Sequence, residues 1–111
     1  MAARILKGRK VHPEVRLIVS PASQAIWQDC LKAGIWDIFA EAGALICHST
    51  CGPCFGGHLG LLGDGEVSIS STNRNFQGRQ GSPKSRIYLG NAATVAAAAV
   101  EGHIVNPQKF L

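Results

Sequence analysis

Three observations predict an α/β fold: short apolar segments of strand length alternate with segments of helical pattern, the helical segments begin and end on capping residues, and glycine-rich and polar stretches gather between them. Val15 to Ser20 reads as a short buried strand. Pro21-Ala22-Ser23 then supplies a turn, with Ser23 as N-cap of a helix running toward Ala33 whose inner face carries Ile26, Trp27, Cys30 and Leu31. Gly34 interrupts this helix. Ile35, Trp36, Ile38 and Phe39 give a further helical turn or two, closed by Gly43 before a short apolar strand from Ala44 to Ile46.

From Cys51 to Gly65 the composition changes, because six glycines make regular helix costly at roughly 1 kcal/mol for each interior glycine. This stretch reads as a loop. Val67 and Ile69 alternate with Ser68 and Ser70, the pattern of a half-buried strand, and that strand delivers the polar run 71–79 at its end. Ligands in α/β folds collect at such strand ends. A third strand, Ile87 to Leu89, leads to Asn91 as N-cap of an alanine-rich helix from Ala92 to Glu101 that stops at Gly102.

With 111 residues, 46% hydrophobic and 16% charged, the chain is expected to form one domain over 1–111 with a modest core. Its longest apolar runs fall short of the ~20 residues needed to cross a bilayer, and its first ten residues lack a signal-peptide core, so a cytoplasmic location without membrane contact is expected. The formal charge is +4, but only Lys7, Arg9 and Lys10 cluster, so a small anionic substrate is expected in preference to nucleic acid.

Four cysteines in a cytoplasmic protein point to metal, redox or catalytic use, and Cys47, Cys51 and Cys54 crowd together. Cys51-Gly52-Pro53-Cys54 is also the dithiol sequence of thioredoxins, but such a site needs a helix beyond the second cysteine, and Phe55-Gly56-Gly57-His58 is poor helix. Adding Cys47 gives the Cys-x3-Cys-x2-Cys spacing of radical S-adenosylmethionine enzymes, whose chemistry needs most of a β/α barrel after the motif. Too little chain remains after Cys54 for that. The third reading uses Cys51 and Cys54 as metal thiolates in a glycine-rich loop whose backbone closes around an inorganic cluster, although Cys-x-x-Cys alone does not separate zinc from iron-sulfur. Cys47 and Cys30 read as small buried hydrophobes.

The segment downstream of the loop decides between metals. His48-Ser49-Thr50-Cys51-Gly52-Pro53-Cys54, succeeded by the run from Gly65 to Gly81 that contains Ser71-Thr72-Asn73-Arg74-Asn75-Phe76-Gln77-Gly78-Arg79, closely resembles the aconitase superfamily in both order and spacing. The segment from Tyr88 to Gly102 is similar to the alanine-rich closing helix of its isopropylmalate- and homoaconitate-type large subunits. The resemblance implies a three-layer α/β/α aconitase-type domain with a small, mostly parallel sheet. It implies a 4Fe-4S cluster serving as Lewis acid in hydration chemistry, with Cys51 and Cys54 as two of three ligands and Asn73 hydrogen-bonding nearby. The substrate is then a small di- or tricarboxylate, and Arg74 and Arg79 hold its carboxylates.

Elementary chemistry favours those arginine roles independently, since a guanidinium matches the two oxygens of a carboxylate and stays charged at any working pH. Gly78 permits a turn bringing the two arginines to one side, with Phe76 as an inward anchor. Ser71, Asn75 and Gln80 read equally well as supports for the arginines or as ordinary loop caps, and His12, His48, His58 and His103 receive no role.

By the same resemblance, the third cluster cysteine lies ahead of a helix whose end is similar to Ala2 to Val11, outside this chain. Upstream large-subunit domains and a separate small subunit would complete the site. The implied reaction is interconversion of 2- and 3-isopropylmalate by dehydration and rehydration, with homoaconitate hydration as the alternative. Gly90-Asn91-Ala92 departs from the Ala-Ser-Pro common in relatives, which alters a helix cap and not the chemistry.

Overall fold

A computed structural model describes residues 1–47, 66–71, 80–82 and 84–110. The chain forms two compact units, Met1–Thr50 with Ala92–Leu111, and Cys51–Asn91. The first unit contains helix α1 (Ala2–Leu6), strand β1 (Ile18–Val19), helices α2 (Gln24–Lys32) and α3 (Ile35–Ala42), and strand β2 (Leu45–Ile46). The second contains strands β3 (Val67–Ser70) and β4 (Arg86–Leu89), after which the chain returns to the first unit as helix α4 (Ala92–Glu101) and a 3-10 turn at Pro107–Phe110.

Helices and small parallel strand pairs are both present, as an α/β fold requires, although among the described residues β2, β3 and β4 follow one another with no helix between them. In the first unit Ile18 lies opposite Leu45 and Val19 opposite Ile46. Bonds from Leu45 N to Leu17 O and from Cys47 N to Val19 O, each 2.8 Å, extend the ladder at both ends. A parallel pair cannot be joined by a tight turn, and here α2 and α3 supply the crossover. The β1 strand is shorter than the Val15 to Ser20 reading.

Local sequence sets the helix boundaries. Ser23 caps α2, its side chain accepting the Ile26 N–H at 3.2 Å, a contact worth about 1 kcal/mol. Gly34 takes a left-handed conformation (φ 73°) and lets the chain restart as α3. At the other end of α3, Gly43 N donates to Ala40 O and Ala44 N to Phe39 O, the paired bonds of a Schellman cap.

The core of the first unit is built from Ile5 and Leu6 of α1, Leu17, Trp36, Phe39 and Ala42 of α3, and Ala93, Ala96 and Ala99 of α4. In α3 and α4 these residues recur at a spacing of three, so one stripe of each helix faces the core. Trp36 locks α2 to α3: its indole N–H donates to Trp27 O at 2.9 Å, and its ring lies 6.1 Å from that of Trp27 and 5.8 Å from that of Phe39.

Two burial expectations are corrected. Ile26 and Leu31 do not share the inner face of α2 with Trp27 and Cys30; they are exposed, whereas Trp27 and Cys30 pack against the core. At 100° per residue, Ile26 and Leu31 fall roughly 70° to either side of the line through Trp27 and Cys30, outside a narrow contact. In the second unit Val67 is exposed, whereas Ile69 and Ser68, the latter opposite buried Ile87 in the register, are both half-buried. The half-buried strand was legible, but the exposure of Val67 was not, because alternation assigns residues to faces without saying how deep each position lies.

The segment Lys10–His12 ties together the ends of two helices. Lys10 Nζ donates to Glu41 O at 2.6 Å, Val11 N to Ala42 O at 2.8 Å and His12 N to Ala99 O at 2.8 Å. The His12 ring is held in turn, since its Nδ1 accepts Glu14 N at 3.2 Å, and it lies where a Cβ on Gly102 would sit, 2.8 Å from that position. After Gly102 (φ 87°) the tail folds back on α4 through Lys109, whose ammonium pairs with Glu101 at 2.5 Å. Phe110 packs beside the core with the Arg9 guanidinium 4.9 Å over its ring.

These contacts set two expected outcomes. Gly34→Ala, strained only in its backbone, should cost about 1–2 kcal/mol, whereas Gly102→Ala should cost at least ~1 kcal/mol more because the pinned imidazole must move. Urea midpoints measure both, and His12→Ala should bring the two costs level; equal costs in the parent chain would contradict the contact. The second concerns pH. The hydrogen bond from Lys109 holds the Glu101 carboxyl below its usual range. A depressed carboxylate pKa stabilises the folded tail above the unfolded pKa, and the contribution is lost as pH falls through the folded value. Acid titration of the melting temperature should therefore show a limb that flattens in Glu101→Gln, and an unchanged limb would refute the tie.

Candidate functional site

The cysteine motif and the arginine motif each follow, in sequence, a strand of a parallel pair. In the first unit β2 ends at Ile46, and Cys47 comes next with its main chain still bonded to β1. Its thiol is free and half-buried, four residues before Cys51. Ser20 follows Val19 at the end of β1, and its Oγ is buried without a hydrogen-bond partner among the described residues. In the second unit β3 ends at Ser70, three residues before Asn73. Both motifs follow carboxyl ends of parallel strands, the ends at which α/β folds place polar ligand groups.

Cys51, Cys54, Asn73, Arg74 and Arg79 themselves lie outside the described residues, as do His58, Asn75, Phe76 and Gly78. Among the described residues no group of three or more His, Cys, Asp and Glu side chains is placed to hold a metal ion. Cys30 packs beside the core as the apolar residue it was expected to be. No described helix is long and apolar enough to cross a membrane.

The residues that come directly after the arginine motif are described from Gln80. Gln80, directly after Arg79, is fully buried, and Ser68 Oγ of β3 donates to its Oε1 at 3.1 Å. Its Nε2 has no hydrogen-bond partner among the described residues. Gly81 comes next at φ 128°, a conformation that favours glycine. The chain then turns through Ser82, whose carbonyl accepts from Ser85 Oγ at 2.6 Å and from Ser85 N at 3.1 Å, while its own hydroxyl accepts Lys84 N at 3.1 Å. Ser85 is also fully buried. This turn returns the chain to β4, and bonds from Arg86 N to Glu66 O and from Gly90 N to Ser70 O, both 2.8 Å, close the ladder at each end.

Sequence reasoning left Gln80 undecided between support and loop cap and passed over Ser85. The signal for both was positional: a polar residue between Arg79 and a glycine, and a serine immediately before a strand. Polarity argued against burial, and only the partner residues reverse that argument.

Comparison with known proteins agrees with this arrangement. Residues 1–102 match the aconitase family (aconitate hydratase). A probable 3-isopropylmalate dehydratase large subunit from Methanothermobacter thermautotrophicus is 56% identical over 106 residues, 96% of this chain and 25% of the relative. The 3-isopropylmalate dehydratase large subunits of a Sulfurihydrogenibium species and of Aquifex aeolicus are 57% and 56% identical over 109 residues, 98% of this chain and 25% of each relative. The chain thus spans about a quarter of the length of the curated relatives it matches. With a family match that runs through both units over residues 1–102, and with described strand pairs that are parallel, the chain belongs to the aconitase family.

Proposed function

We propose that this chain acts as part of a 3-isopropylmalate dehydratase-type hydro-lyase, contributing cluster ligands and substrate-binding arginines to the interconversion of 2- and 3-isopropylmalate in leucine biosynthesis. The observation that carries this reading is identity above one half, over nearly the whole chain, to large subunits of that name. Those names favour isopropylmalate over homoaconitate, and the family match favours hydro-lyase chemistry over a thioredoxin-like dithiol.

In this reading residues 1–111 work as one aconitase-type domain of a longer large subunit, in the cytoplasm, and the single family match that runs through both compact units supports that view. The remaining large-subunit domains and a separate small subunit complete the site. The donor set fits an iron-sulfur cluster: Cys51 and Cys54 are thiolates two residues apart in a glycine-rich stretch, and soft thiolates are the ligands that such clusters take. They supply two ligands of a 4Fe-4S cluster, and the third cysteine comes from elsewhere in the assembled protein. When bound, the cluster offers an iron as Lewis acid to a substrate hydroxyl.

The chain's other roles belong to side chains. Asn73, with both a donor and an acceptor, hydrogen-bonds beside the cluster thiolates. Arg74 and Arg79 orient a dicarboxylate by paired N–H bonds, to which each brings a guanidinium that stays charged at working pH. A small diacid also suits a chain of charge +4 whose basic residues are mostly dispersed.

Anaerobic incubation of the assembled protein with iron and sulfide should develop cluster absorbance that is lost in Cys51→Ala and in Cys54→Ala; retention in either variant would remove that cysteine from the ligand set. Arg79→Lys should lower kcat/KM for 3-isopropylmalate roughly ten- to hundredfold, the equivalent of ~1.5–3 kcal/mol for a charge-assisted bond, with absorbance unchanged. Disulfide reduction without isopropylmalate turnover would point to the dithiol reading instead.

A further inference from the structure

The stretches Leu17-Ile18-Val19 and Ala44-Leu45-Ile46, which form β1, β2 and the residue before each, are apolar at every position. They differ in this from β3, where Val67 and Ile69 alternate with serines, and an unbroken apolar run is the pattern of a parallel strand buried on both faces. Among the described residues only one of those faces is packed. Leu17 belongs to the core, and Val19, Ala44 and Ile46 pack against it. Ile18 and Leu45, paired in the register, stand on the opposite face, Ile18 half-buried and Leu45 57% exposed.

The uncovered face is small. Strands ~4.8 Å apart that rise ~3.3 Å per residue give three residues on each an area of roughly 100 Å², against the ~800 Å² that each partner of a stable complex buries. A second copy or a separate protein would find too little here to hold it. A segment of the same polypeptide needs far less, because its tether supplies local concentration in place of contact area. Large subunits contain such polypeptide, since this chain covers 25% of each relative described above. We propose that the Ile18–Leu45 face of the β1–β2 pair is the docking surface for an apolar helix stripe from the remaining part of the large subunit. A helix is the fitting occupant: its diameter of about 10 Å matches the width of two strands, and it satisfies its own backbone polar groups against an apolar surface. The inference rests on the reading that these residues work within a longer large subunit, and it adds where that polypeptide seats.

The test uses the complete large subunit assembled with its small subunit. With photo-leucine in place of leucine, photoactivation should cross-link position 45 to a peptide of the same polypeptide outside these 111 residues. In the unlabelled protein hydroxyl radicals should oxidise Leu45 as slowly as core-buried Leu6, and Leu45→Lys should lower the melting temperature, because the cover strips water from the ammonium. A cross-link to the small subunit, to a second copy or within the 111 residues would overturn the proposal, and so would oxidation of Leu45 at the rate found in the urea-unfolded protein. Each of those results leaves the proposed function standing if the assembly turns over isopropylmalate. Absence of turnover with the expected cross-link in place would overturn that function and keep the docking surface.

Discussion

The first unit depends on the smallness of one helix face. Ala93, Ala96 and Ala99 give α4 a surface with almost no side-chain relief, so α1 can lie against it with Ile5 and Leu6 fully buried. Alanine contributes little transfer free energy of its own. Its value here is that neighbouring backbones approach closely, and that it orders without loss of side-chain entropy. The larger apolar residues of the core, Trp36 and Phe39, come from α3 and fill what the alanines leave open.

Close packing of helices brings their ends into reach, and the Lys10–His12 segment exploits that. Its three bonds satisfy carbonyls at the last turns of α3 and α4, groups that helical geometry leaves without internal partners. The glycines at 43 and 102 complete both termini by turning the chain into the left-handed region. At Gly102 the requirement is double, because the conformation excludes a side chain and the His12 ring occupies its place. The pairing of Glu101 with Lys109 then returns the tail to the same helix end.

A different physics governs the second unit. Among its described residues Ser68 stands opposite buried Ile87, and the two side chains with no exposure, Gln80 and Ser85, are polar. Such groups contribute less to stability than apolar ones of equal size, and their directional bonds confer position instead. A unit that carries the proposed arginines has reason to favour position. Catalysis of the proposed kind needs a thiolate pair and a guanidinium pair presented by firm scaffolding, and the described residues show parallel ladders ending just before each of those loops.

By itself the sequence determined the mixed α/β class, the cap at Ser23, the stops at Gly34, Gly43 and Gly102, and the family, because each is written in local chemistry or in spacing along the chain. Tertiary structure alone decided which faces turn inward. Ile26, Leu31 and Val67 look like core and are exposed, while Gln80 and Ser85 look like surface and are buried. Periodicity assigns residues to faces but carries no sign, and the sign comes from partners distant in sequence: Trp36 for α2, and the β3–β4 register for Ser68 and Gln80.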